Sequence, residues 1–128
     1  MERLKLKHDI NNLNPLTWAY IGDAVYELYV REKLVSNMKV KPHKLHIEAI
    51  KRVKASAQAN LLMKLEEKLT EEEKEIIRRT RNVKNHHMPK HSNVKEYMYA
   101  TAFEGLIGYL YMSNQKERLD EILEMIFE

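Results

Sequence analysis

Asp23 and Glu104 are the side chains in this sequence best placed to do chemistry. Each is an acid inside an apolar stretch, Asp23 in WAYIGDAVYELY (18–29) and Glu104 in YMYATAFEGLIGYLYM (97–112). In both stretches apolar residues fall on nearly every side of the helical wheel, the pattern of a buried helix. A carboxylate placed there loses its water, which costs several kcal/mol unless a cation or a set of donors compensates. The three glycines of the chain, Gly22, Gly105 and Gly108, all lie beside these acids or one turn away. A glycine inside a helix costs about 0.5–1 kcal/mol relative to alanine. Their clustering therefore predicts two core helices that cross tightly and bring Asp23 and Glu104 together. Two such carboxylates repel each other, and a divalent cation such as Mg²⁺ relieves the repulsion. A purely structural reading stays open beside this one, with each acid paired to an arginine or capping a neighbouring helix.

A second kind of chemistry lies in the basic segments. No acid occurs from Ile76 to Lys95, a window holding Arg78, Arg79, Arg81, Lys84, Lys90 and Lys95 with His86, His87 and His91 among them. A second run, Lys39 to Lys54, has one glutamate against six basic residues. The net charge of +3 is modest, but its placement predicts a face for a polyanion, with nucleic acid the first candidate. HHMPKH lacks a carboxylate and a helical i, i+4 geometry, so its histidines suit an anion better than a metal. Tyr97, Tyr99, Tyr109 and Tyr111 read as core or as an interface rather than as a base-stacking platform. The absence of cysteine excludes disulfides, thiolate metal sites and cysteine nucleophiles. Neither a leader-type apolar region nor an 18-residue apolar run is present, which predicts a soluble, cytoplasmic protein with no membrane partner.

The elements that must carry these residues are all helical. Asn14-Pro15 reads as an N-cap and first position, opening a helix to about Leu34, with the preceding dozen residues polar and frayed. Pro42 opens a second helix through Val53, and ASAQANLLMKLEEKL (55–69) supplies a third. Thr70 followed by three glutamates matches a capping box and starts a short fourth helix to about Thr80. RNVKNHHMPKHSN (81–93) reads as the one long loop, followed by a fifth helix, Val94 to Met112, and a sixth, Lys116 to Phe127. No segment reads as a strand. One domain spanning 1–128 is expected, large enough for a single core.

YIGDAVYEL resembles the signature of the ribonuclease III family, and ATAFEGLIGYLY resembles its second catalytic helix. The likeness runs over essentially the whole chain and is nearest to the compact bacterial branch, which lacks a double-stranded-RNA-binding domain. It implies an all-α endonuclease bundle of about six or seven helices. It also implies a homodimer that cuts both strands of duplex RNA with Mg²⁺, for which Mn²⁺ can substitute. Asp23 and Glu104 take the positions of the two carboxylates nearest the chemistry and of its metal ligands. Arg79, Arg81, Asn82, Lys84 and Lys90 are the expected RNA-backbone contacts. Larger members carry further acids where this chain has Ala19 and Thr101, so half of the four-carboxylate set is missing and metal number and affinity are in question. The branch also implies maturation of the large-subunit (23S) ribosomal RNA precursor, with a large-subunit ribosomal protein on the substrate. The competing expectation is a non-catalytic duplex-RNA-binding protein of the same fold, supported by those two departures. A helical adaptor for an acidic protein would explain the charge but not the two acids.

Overall fold

The computed structural model describes residues 6–84 and 93–127. Among them six α-helices form: α1 Pro15–Asn37, α2 Pro42–Val53, α3 Ala55–Leu65, α4 Glu71–Arg81, α5 Val94–Met112 and α6 Lys116–Ile126. Short 3₁₀ turns occupy Ile10–Asn12 and Glu66–Lys68, and no described residue is in a strand. Among the described residues no helix is long and apolar enough to cross a membrane.

The helix starts follow from local chemistry. The Asn14 side chain accepts from the Leu16 N–H at 2.9 Å, with Pro15 in the first position where a missing N–H costs nothing. The capping box is complete: Thr70 Oγ1 accepts from Glu73 N, and Glu73 Oε1 accepts from Thr70 N. The same glutamate receives two 2.8 Å bonds from Arg118, fastening α4 to α6. Burial alone would raise the Glu73 carboxyl, but Arg118 and Thr70 together hold it below the usual range.

Helix α5 is the central element, with eleven residues buried including Phe103, Leu106 and Ile107 at 0% exposure. It packs against α1, α3, α4 and α6. Phe103 meets Tyr26 edge-on at 5.0 Å, and Leu62, Leu65, Leu110 and Ile122 complete the core.

Three expectations change. Helix α1 continues past Leu34, whose carbonyl accepts from Met38 N, so Ser36 and Asn37 remain helical. The described part of the segment before it, around Ile10 and Asn11, is docked rather than frayed: Trp18 Nε1 donates to Ile10 O, and Tyr109 Oη to Asn11 Oδ1. Nor is α1 buried all round. Trp18, Gly22, Tyr26, Val30 and Leu34 form its inner stripe, whereas Tyr20 (78% exposed), Leu28 (58%) and Val35 (63%) face outward.

Candidate active site

The two acids are brought together by a backbone contact that only glycine permits. A Cβ on Gly22 would stand 1.7 Å from the Glu104 carbonyl oxygen, and one on Gly108 would stand 1.8 Å from that of Trp18. Trp18 and Gly22 are one turn apart on α1, as are Glu104 and Gly108 on α5, so each helix offers one glycine-bearing face to the other. With Trp18 beside Tyr109 (ring centroids 5.1 Å) and Tyr26 beside Phe103, the helices run antiparallel. Asp23, directly after Gly22, thus falls next to Glu104. Gly105 serves a different crossing, where an added Cβ would meet the Thr80 hydroxyl at 2.6 Å and force α4 away.

The acids differ in environment. Asp23 is exposed and Glu104 half-buried, which corrects the expectation that both leave water. Burial is the largest influence on Glu104, and the hydrogen bond and charge of Asp23 add to it, so its carboxyl is pushed up to about 8. Gln58 of α3, close to the same carboxyl, opposes the rise. Around neutrality the metal-free pair therefore keeps a proton on Glu104. Among the described residues no third His, Cys, Asp or Glu joins a metal-binding group with them. Ala19 and Thr101 are both buried, and Thr101 Oγ1 donates to Tyr97 O at 2.8 Å. Two convergent carboxylates, one solvent-facing, fit a hard cation that draws its other oxygen ligands from water and substrate.

The expected RNA contacts separate into two groups. Arg79 is half-buried, with its guanidinium 4.9 Å from the Trp18 ring and Nη2 donating to Asn11 O, so it fastens the N-terminal segment to α4. Arg81 ends α4 half-exposed, 5.6 Å from the Tyr99 ring, while Asn82 and Lys84 are exposed. Tyr99 lies five residues before Glu104 on α5, roughly 7–8 Å along the axis. Five residues also turn the helix by about 140°, so Arg81 meets a face of α5 other than the one that carries Glu104. Lys90, with His86, His87 and His91, falls outside the described residues. Gln58 escaped the reading of the sequence. A lone amide in ASAQANLLM resembles any helix surface position, and only its 3% exposure distinguishes it.

The model of the Ribonuclease III domain matches residues 16–115, which include both acids and all three glycines. The chain belongs to the ribonuclease III family, whose members are endoribonucleases. Within it, the chain is 48% identical over 122 residues to the Mini-ribonuclease 3 of a Thermoanaerobacter species, covering 95% of this chain and 86% of that one. It is 44% identical over 127 residues to the Mini-ribonuclease 3 of Brevibacillus brevis, covering 99% and 95%. A crystal structure of a Fusobacterium nucleatum protein superposes with a TM-score of 0.82 at 30% identity, covering 94% of this chain and 96% of that one.

Proposed function

We propose that this protein is a Mg²⁺-dependent endoribonuclease that hydrolyses phosphodiesters in double-stranded RNA, with Asp23 and Glu104 as its metal-holding carboxylates. The observation that carries the reading is the glycine-mediated crossing that sets Glu104 against Asp23 at the edge of the protein. A half-buried acid held beside another acid is a poor structural device, because neither offers the other a compensating charge. It is a good cation site, and Mn²⁺ satisfies the same oxygen donors. When bound, the cation supplies an activated water and neutralises charge developing on the phosphate. Asp23 would hold it with its exposed carboxylate, and Glu104 would give up its proton to join it. Arg81, Asn82, Lys84 and Lys90 hold the RNA backbone, through which A-form duplexes are mostly recognised. Arg79 contributes by holding α4 in place.

A homodimer completes the site. Tyr20, Leu28 and Val35 make an outward apolar stripe on α1, the helix that carries Asp23. Beside it lies a cavity of about 430 Å³ whose lining includes Val25, Leu28, Tyr29, Tyr111, Leu119 and Leu123. An apolar stripe next to an apolar cavity suits a self-complementary two-fold contact. Each protomer then presents one acid pair to one strand. The substrate we propose is the precursor of 23S ribosomal RNA, bearing a large-subunit ribosomal protein, in the cytoplasm, as the resemblance to the compact branch implies.

The test is cleavage of a duplex RNA in Mg²⁺ and in EDTA by the wild type, Asp23→Asn and Glu104→Gln. Activity in Mg²⁺ by the wild type alone supports the reading. Binding without cleavage in Mg²⁺ and in Mn²⁺ would leave the non-catalytic RNA-binding protein.

A further inference from the structure

The side chain of Gln58 is 3% exposed, on the face of α3 that packs against α5. Its Nε2 donates to the carbonyl of Val53, the last residue of α2, at 2.8 Å. The amide also lies close enough to Glu104 to draw its carboxyl down against the effect of burial. The Val53 carbonyl can only accept, so the orientation of the amide is fixed: a flipped group would turn its oxygen toward another carbonyl oxygen. That orientation leaves Gln58 Oε1 buried without a hydrogen-bond partner. An orphaned buried carbonyl is destabilising, and an apolar side chain of similar size would avoid it. Against that cost stand two services of its nitrogen, one to the last carbonyl of α2 and one to Glu104.

We propose that Gln58 is a positioning residue for the reaction: it ties the Glu104 carboxylate to the α2–α3 junction and fixes the direction in which that acid faces Asp23. The hydrogen bond between a protonated Glu104 and Asp23 is lost once a cation displaces the proton, and the Thr101 hydroxyl, one turn before Glu104, is committed to Tyr97 O, which leaves the Gln58 amide to hold the Glu104 carboxylate. Without the amide, the Glu104 side chain is free to adopt other rotamers and the two carboxylates no longer present a fixed pair of oxygens. Outer groups of this kind typically change metal affinity or activity by 10–100-fold when removed.

The inference rests on the acid pair being the cation site, and the experiment separates the two. Divalent binding is measured by calorimetry with Mg²⁺ alone, on the wild type, Gln58→Leu and Glu104→Gln, alongside kcat and KM on duplex RNA and the melting temperature in EDTA. Gln58→Leu is expected to melt within a few degrees of wild type, bind Mg²⁺ about 10-fold or more weakly, and lose kcat with KM unchanged. Gln58→Leu with wild-type affinity and kcat overturns the positioning role alone. A wild type that binds no Mg²⁺ and cuts no RNA overturns the underlying reading instead. Should Gln58→Leu fail to fold, the wild type decides. The chain has only two glutamines, Gln58 and Gln115, so ¹⁵N-glutamine labelling yields two side-chain amide signals. The Gln58 signal should move when Mg²⁺ is added, and should differ in Glu104→Gln, while that of Gln115 stays. A Gln58 signal indifferent to both overturns the proposal.

Discussion

The proton held by Glu104 ties the stability of the metal-free protein to pH. The carboxyl titrates at 4.5 when unperturbed and at about 8 in the folded chain. Below pH 4.5 it is protonated in both states and contributes no difference. Between 4.5 and 8 the folded state keeps a proton that the unfolded state has lost, so stability falls as pH rises, by about 1.4 kcal/mol per unit. Over the 3.5-unit window the loss is about 5 kcal/mol, complete above pH 8. That is comparable with the whole stability of many small domains. Other groups titrate in this range, so the informative quantity is the difference between wild type and Glu104→Gln in urea unfolding at fixed ionic strength in EDTA. The difference should be flat below about pH 4.5, grow in favour of the variant to about pH 8, and then level off. Asp23→Asn should shorten the sloping region, because it removes a like charge while leaving the burial. Saturating Mg²⁺ should stabilise only the wild type, and more strongly at higher pH, where no proton has to leave. Parallel unfolding free energies for wild type and Glu104→Gln from pH 5 to 8 would show that Glu104 is hydrated and apart from Asp23, and would refute the geometry.

The glycine crossing predicts that Gly22→Ala and Gly108→Ala each destabilise by about 3 kcal/mol or more in urea, since each Cβ would collide with backbone. Gly105→Ala should cost less, and Thr80→Ala should recover part of that loss, because the closest atoms are the Thr80 side chain's own. Among the basic residues, Arg81→Ala and Lys84→Ala should each weaken duplex binding and lower the salt slope by about one unit, with stability unchanged. Arg79→Ala should instead lower stability by about 1–2 kcal/mol through its lost contacts with Trp18 and Asn11. A heterodimer of wild-type and Glu104→Gln protomers, isolated by differential tags, should nick one strand where the wild type makes a double cut; an inactive heterodimer would indicate a site shared across the interface.

The helix boundaries were legible because their causes are local. Asn14-Pro15 and Thr70–Glu73 cap their helices with side chains two or three residues from the groups they satisfy. The two acids were legible for a related reason, since a charge in an apolar run contradicts its surroundings without any knowledge of the fold. What escaped depends on residues distant in the sequence. The N-terminal segment reads as frayed by composition, yet Asn11 is held by Arg79 and Tyr109, 68 and 98 residues away. Gln58 is a surface-like residue until α3 turns it onto Glu104. The misread burial of Asp23 has a different origin. Its neighbours Tyr20, Ala24 and Leu28 are apolar, as core residues would be, and all are exposed in the single chain. An amphipathic surface helix would carry polar residues there. The pattern is that of a surface with an apolar cover, which the second copy proposed above would supply. In that dimer Tyr20 and Leu28 lose their water while Asp23, between them along the helix, stays at the rim, open to the cation and the RNA strand.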